Sequence, residues 1–419
     1  MSNRYLDKHA LYGPFILEPS DQRLFITVVI PCYNETGLMT TLDSLQKCSP
    51  TDFPVEVIVV INAAPDDKAA VQQNEKTENE YDAWIKENPP KKIRFHKIVK
   101  NDLDKKHAGV GLARKIGMDE AVRRFDSINT PEGVIVCLDA DCTVSENYLS
   151  ELEKLFLNDK KASGCSIYFE HPLEGQDFDE EVYDAITAYE LYLRYYHSGL
   201  KWSGYPYTFQ TIGSCMAVRN NVYQKTGGMN RRKAGEDFYF LHKIFPSNHF
   251  VELNTACVYP SPRPSLRVPF GTGSTVHKVI NRNHQIKAFS LQTFTDLKKL
   301  TASAEYLFIT DYNDWSKSLP ESVKRFFEIQ KAEEKLWEIK ANAASEKTFI
   351  KRFYTWFDGL LLLQYFHFCR DYFYPDEMLQ ESAVTMIKWL YGQSVPAHAR
   401  QALMVFREQS NSFTEAEKI

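Results

Sequence analysis

Two carboxylates one residue apart, Asp139 and Asp141, close the apolar run Gly133-Val134-Ile135-Val136-Cys137-Leu138. Hard oxygen ligands so spaced suit Mg²⁺ or Mn²⁺, and such a cation can hold a diphosphate. Asp is also a common turn residue after a strand, so the pair alone leaves a plain turn open. A second acidic pair, Glu236-Asp237, follows Arg231, Arg232, Lys233, Ala234 and Gly235. At the start of a helix, two acids are equally what the helix dipole would favour. Arg263 and Arg267 stand four apart in the Pro-rich stretch 259–273. They could close over a diphosphate, or they could be solvated charges.

These groups need elements to hold them. The run before Asp139 reads as a strand buried on both faces, and the carboxyl ends of strands in an open α/β sheet are where ligands bind. Residues 24–30 form a β-branched run that stops at Pro31-Cys32-Tyr33-Asn34-Glu35, a strand followed by a loop. The spacing predicts a helix over 36–47, a strand over 53–61 ending at Asn62, a charged helix over 68–88 and a strand over 93–99. Strand, helix, strand in this order implies right-handed parallel units. A helix from Val110 carries Ala113, Gly117 and Ala121 on one stripe, small enough to lie close to a sheet. Further on come a helix over 145–157 with Ser145 as its cap, a strand over 164–169 and an aromatic helix over 179–197. Its tyrosines read as packing more readily than as a sugar platform. A strand over 211–219, a short helix over 221–226, a helix over 238–245 and two late strands over 251–253 and 256–259 complete the pattern. After 281, long helical patterns dominate, and the expected division is an N-terminal extension 1–23, an α/β domain 24–280 and a helical accessory domain 281–419.

Composition narrows the classes. Among 419 residues, 50 Lys and Arg against 55 Asp and Glu give a net charge of −5, so no basic excess points to nucleic acid. The 8 cysteines form no CxxC pair, which fits reduced thiols in a cytoplasmic protein. The N-terminal stretch lacks the apolar centre of a signal peptide, and 357–369 is too short to span a bilayer. A buried helix is expected there, with a peripheral position at the inner face of a membrane as the second reading. An oligomer is compatible with this composition.

Residues 24–273 resemble a family 2 glycosyltransferase of the GT-A fold, a mostly parallel sheet flanked by helices. The resemblance is carried by Val28-Val29-Ile30-Pro31-Cys32-Tyr33-Asn34-Glu35, Gly111-Leu112-Ala113-Arg114-Lys115-Ile116-Gly117, Asp139-Ala140-Asp141, Gly213-Ser214-Cys215-Met216-Ala217-Val218-Arg219, Gly227-Gly228-Met229 and Gly235-Glu236-Asp237, in that order. It implies that the Pro31, Tyr33 and Glu35 loop holds base and ribose, that Asp139 faces the nucleotide and that Asp141 ligates Mn²⁺ or Mg²⁺. It implies too that Arg114 faces the diphosphate, with Lys115 a weaker candidate, and that Asp237 is the base that deprotonates an acceptor hydroxyl. A late His is a metal ligand in some such enzymes, so His277 is either that ligand or an ordinary surface residue. Arg267 is a candidate for the donor diphosphate.

The activity so implied is inverting transfer of one sugar from a nucleotide-sugar, a UDP-sugar by preference, to a carbohydrate, lipid-linked or small-molecule acceptor. The sequence departs from the family where an Asp pair often follows the second strand, since here Asn62 comes first and Asp66 and Asp67 later. Neither the Gln-x-x-Arg-Trp signature of processive synthases nor a membrane span is present. Three rivals remain: a haloacid-dehalogenase-like phosphatase with Asp139 as nucleophile, a sugar-nucleotide pyrophosphorylase, and a non-catalytic carbohydrate-binding or scaffold protein. The first expects its motif on the first strand and the second a Gly-rich loop after it, neither of which this chain offers.

Overall fold

The computed structural model describes residues 3–89, 92–247, 249–267, 271–281, 286–395 and 398–416. The chain divides into two compact units, residues 1–175 with 210–274, and residues 176–209 with 275–419.

The first unit is built on a sheet whose strands are β1 (Ile26–Cys32), β2 (Val55–Asn62), β3 (Ile93–Lys100), β4 (Val134–Cys137), β5 (Cys142–Val144), β6 (Ala162–Phe169), β7 (Met216–Arg219) and β8 (His249–Pro260). Their order is β3-β2-β1-β4-β7-β6-β8-β5. The β3-β2-β1-β4 half is parallel throughout, and β7 lies antiparallel to both β4 and β6. Every residue of β1, β2 and β4 is buried, as their Val- and Ile-rich sequences favour. Each such side chain contributes roughly 1.5–3 kcal/mol of burial. This is the expected α/β architecture, a mostly parallel sheet flanked by helices.

Helices α1 (Arg4–His9), α2 (Leu38–Gln46), α3 (Lys68–Glu87), α4 (Val110–Ser127) and α5 (Tyr148–Asn158) flank or precede these strands. The small stripe of α4 does what its residue types allow. A methyl group at Gly117 would lie 2.4 Å from Val29 Cγ1, so only glycine permits so close a seat on the sheet. Residues 3–23 pack as part of this unit. Tyr5 Oη donates to Asp119 at 2.7 Å, and Glu120 accepts from the N–H groups of Phe15 and Ile16.

Three local expectations change. β5 was unforeseen, being three residues long. The cap of α5 is Asn147, not Ser145. Ser145 Oγ instead accepts from the Cys257 N–H at 2.9 Å, tying the end of β5 to β8. The two late strands are one strand, β8, with an irregularity beside β6 that breaks the apolar pattern.

The second unit holds α6 (Glu180–Trp202), which the sequence reading grouped with the sheet. The first unit adds α7 (Asn220–Lys225) and α8 (Glu236–Ile244), and α9 (Thr272–Ile280) spans the boundary at 274/275. The remaining helices of the second unit are α10 (Leu291–Ser303), α11 (Tyr312–Lys317), α12 (Glu321–Ile329), α13 (Ala332–Ala341), α14 (Glu346–Trp356), α15 (Gly359–Tyr372), α16 (Leu379–Tyr391) and α17 (Ala399–Ala416). Packing explains α6: Tyr195 Oη donates to the Phe289 carbonyl at 2.7 Å, and the Tyr196 ring meets Phe289, Phe294 and Phe366. The apolar window at 357–369 forms most of α15, whose buried residues Leu362, Tyr365, Phe366 and Cys369 fall on one stripe. Among the described residues no helix is long and apolar enough to cross a membrane.

Candidate active site

β1 and β4 are parallel neighbours, so the loops leaving their carboxyl ends lie side by side. The β1 loop turns at Asn34, which takes a left-handed φ of 48° that Asn tolerates better than most residues. Its N–H donates to Asn74 Oδ1 at 3.1 Å. Glu35 follows, nearly fully buried at 3% exposure, with Oε1 accepting from the N–H groups of Thr36 and Gly37, both at 2.9 Å. The β4 loop is pinned by Thr41 Oγ1, which donates to the Ala140 carbonyl at 2.9 Å.

The two carboxylates after β4 enter different ion clusters. Asp139 accepts from Arg114 Nη2, while Arg114 Nη1 is held by Glu236. Arg114 is buried at 2% exposure, and its guanidinium lies against Gly213, where a Cβ would meet Nη1 at 2.4 Å. Arg114 therefore ties α4, the β4 loop and the start of α8 together, instead of facing open solvent. Lys115 turns away to Asp119, 2.9 Å distant.

Asp141 joins the other cluster. Arg263 grips Glu35 through Nη1 at 3.0 Å and Nη2 at 2.5 Å, and Nη2 also lies 3.4 Å from Asp141 Oδ2. Arg267 Nη1 lies 3.1 Å from Glu35 Oε2 and donates to the Tyr33 carbonyl at 2.9 Å. Burial pushes the Glu35 carboxyl up, but Arg263, the Gly37 N–H and Arg267 outweigh it and hold it below the usual range. Asp141 goes the other way. Burial, reinforced by the neighbouring Asp139 and Glu35 charges, pushes it up to about 6.

The second acidic pair divides its work. Gly235, at φ 70°, supplies the left-handed turn that opens α8. Glu236 is paired with Arg114, which holds its carboxyl down, but burial outweighs that partner and pushes it up to about 7. Asp237 makes no ion pair among the described residues; its Oδ1 accepts from the Phe238 N–H at 2.7 Å. Burial raises its carboxyl, Asp139 adds to the rise, and Arg114 opposes it. The base candidate thus lies within electrostatic reach of the acids after β4.

Other predicted residues take varied places. Pro31 lies inside β1, opposite Val60, not in the loop. Tyr33 Oη donates to Asp67, the acid set back from Asn62. Asn62 is buried at the end of β2; its Nδ2 donates to the carbonyls of Cys32 and Val60, and its Oδ1 has no partner among the described residues. His277 lies on α9, its Nε2 3.2 Å from Asn281 Nδ2. Sequence reasoning missed Glu236 as a partner of Arg114, and it missed Asn74, which links Asn34, the Asn62 carbonyl and Asn101. An Asn within a charged helix carries no signal; the Glu236-Asp237 doublet did, but both acids were read as one feature.

Among the described residues no group of three or more His, Cys, Asp and Glu side chains is arranged to hold a metal ion. The donor set still suits a cation, because the Glu35 and Asp141 carboxylates already face one positive group, Arg263. Mg²⁺ and Mn²⁺ commonly take one or two carboxylates and complete their shells with water and phosphate oxygens.

Residues 27–227 match the family model described as Glycosyl transferase family 2. Comparison with curated proteins finds no match. Among solved structures, the chain is similar to S. aureus TarS 1-349 in complex with UDP-GlcNAc, at 13% identity over 74% of this chain and 88% of that one, with a TM-score of 0.40. It is similar also to GalNAc-T7 with UDP, GalNAc and Mn²⁺, at 15% identity over 74% of this chain and 55% of that one, with a TM-score of 0.37.

Proposed function

Because residues 27–227 match the family model described as Glycosyl transferase family 2, we propose that this protein moves one sugar from a nucleotide-sugar, a UDP-sugar by preference, to an acceptor hydroxyl by single displacement with inversion. The observation that carries the reading is the convergence of Glu35, Asp139, Asp141, Arg263, Arg267 and Asp237 around the carboxyl ends of β1 and β4. One half of the site is then suited to a diphosphate and the other to a proton acceptor.

In this reading Tyr33 and Glu35 meet the base and ribose. The Oδ1 of Asn62 is an orphaned acceptor, which suits the N3–H of uracil and disfavours the N3 lone pair of cytosine. Asp141, with Glu35 beside it, holds Mn²⁺ or Mg²⁺. A cation held there would supply positive charge to the leaving nucleoside diphosphate. Arg267 supplies a guanidinium to the same oxygens. Arg114 fixes Asp139, and Asp237 accepts the acceptor's hydroxyl proton as that oxygen attacks the anomeric carbon. His277 is the further ligand candidate, and loss of Mn²⁺ affinity in His277→Ala decides it. The second unit serves as a helical accessory domain, and the family match over residues 27–227 supports this reading over the phosphatase one.

The test is thermal unfolding with a panel of nucleoside diphosphates with and without Mn²⁺, followed by hydrolysis of the matching nucleotide-sugars. A ligand at a hundred times its Kd stabilises by about 2.7 kcal/mol. UDP with Mn²⁺ should therefore raise Tm most. If no nucleoside diphosphate shifts it, the reading falls.

A further inference from the structure

Two arginines from one short segment serve a single buried carboxylate, and they are not equivalent. Arg267 is anchored independently, since its Nη1 donates to the carbonyls of Tyr33 and Asn34 at 2.9 and 3.3 Å while also meeting Glu35. Among the described residues Arg263 has no such backbone hold on the β1 loop. Its guanidinium is spread over Glu35 and Asp141, with the longer contact, 3.4 Å, on Asp141. Its side chain is 29% exposed, so it can swing outward.

Three carboxylates, Glu35, Asp139 and Asp141, meet here, and Arg114 answers only Asp139. A buried carboxylate without a counter-charge is costly; Arg267 answers the buried Glu35, and the part-exposed Asp141 beside it favours a second cation. Arg263 fills that place from within the chain. A divalent ion ligated by Asp141 would be repelled by a guanidinium lying on the same oxygens, so the two cannot share the site.

We propose that Arg263 is the resident counter-cation of the donor-free site, giving up Asp141 to the incoming divalent ion and turning to the diphosphate that arrives with it. The proposal rests on the donor reading above. Arg267 keeps Glu35 paired throughout, so the exchange leaves no buried acid bare. No covalent bond changes; one ion pair is traded for two. The trade makes Mn²⁺ and Arg263 competitors when metal is added alone, and Arg263 a donor ligand once the nucleotide is present. Metal and nucleotide then favour each other's binding, and that coupling is reciprocal.

Isothermal titration calorimetry of the full chain separates these roles. Mn²⁺ alone is titrated into wild type, Arg263→Gln and Arg263→Lys, and UDP is titrated into each at saturating Mn²⁺. Removing the charge in R263Q should tighten Mn²⁺ alone about tenfold and weaken UDP about tenfold, within the range usual for coupled sites. R263K keeps the charge and should bind Mn²⁺ as weakly as wild type. Should R263Q prove unfolded by circular dichroism, Arg263→Met, of similar length, repeats the measurement. If wild type binds UDP with Mn²⁺ but R263Q binds Mn²⁺ no more tightly than wild type, the exchange is overturned and the donor reading stands. If neither UDP nor Mn²⁺ binds any of these proteins, both fall together.

Discussion

Arg114 and Asp139 form an ion pair whose other arm is Glu236, so one buried guanidinium joins a helix, a strand end and a second helix start. Removing that guanidinium in Arg114→Ala would leave Glu236, itself almost wholly buried, beside Asp139 with no cation between them. Breaking a buried pair costs about 3–5 kcal/mol. Since Asp139 keeps some contact with water, the lower end, roughly 3 kcal/mol, is expected. Urea unfolding measures it, and an unchanged midpoint would show that the strut carries no stability.

Asp237→Asn should lower sugar transfer by about 10²–10⁴-fold, the usual contribution of a positioned base. Affinity for UDP with Mn²⁺ should stay near that of wild type, because Asp237 has no hydrogen bond or ion pair to the β1 loop or Arg263 among the described residues and accepts instead from the Phe238 N–H. Turnover together with a UDP titration separates the two. A variant that loses donor affinity in step with turnover would move Asp237 out of the base role.

The same carboxyl fixes a pH dependence. Burial raises its pKa above the ordinary carboxylate range, so the protonated, inactive form persists to higher pH than for an exposed Asp. The rate, followed as kcat/KM, should rise with pH on its acid side, with the inflection above about 3.9. A rate that fell across that same interval would contradict the assignment.

Much of this was legible in the sequence, for reasons that differ by element. β1, β2 and β4 are buried on both faces, so their Val and Ile runs announced them, and the loops at their ends followed from the parallel arrangement. The seat of α4 was legible from Gly117 because a small residue has one use on that stripe. Partner choice was not legible. Arg114 stands where a diphosphate contact was expected, yet its partners Asp139 and Glu236 are 25 and 122 positions away along the chain. No periodicity reports such pairings. The same holds for Arg263, whose hold on Glu35 spans 228 positions, and for β5, too short to leave a pattern.

Away from the site, Glu56 on β2 is held by Arg124 on α4 through contacts of 2.7 and 2.5 Å, with His96 at 3.8 Å. Burial pushes the Glu56 carboxyl up, but the hydrogen bonds from Arg124 and the nearby His96 ring outweigh it, and its pKa is lowered in the folded state. A depressed carboxylate contributes stability that is complete above its unfolded pKa of about 4.3 and is lost as pH falls through the folded value. Glu56→Gln should therefore cost roughly 3–5 kcal/mol at neutral pH. That difference from wild type should hold steady down to about pH 4.3 and shrink below it. Urea unfolding at several pH values checks this, and a difference that grew on acidification would reverse the sign of the argument.

The stereochemical outcome follows from how the acids are shared. Retention by double displacement would need one carboxylate free to attack the anomeric carbon and a further group to activate the second nucleophile. Glu236 is committed to Arg114, Asp139 to the same arginine, and Glu35 to two arginines and two backbone N–H groups. Asp141 is the acid placed for a cation, which leaves Asp237 as the carboxylate without an ion pair among the described residues. One unpaired carboxylate can deprotonate an acceptor for a single in-line attack. The product formed from an α-linked donor should therefore be the β-anomer, read from the anomeric proton coupling in the NMR spectrum of the first product. A product with the donor's own configuration would overturn the role given to Asp237.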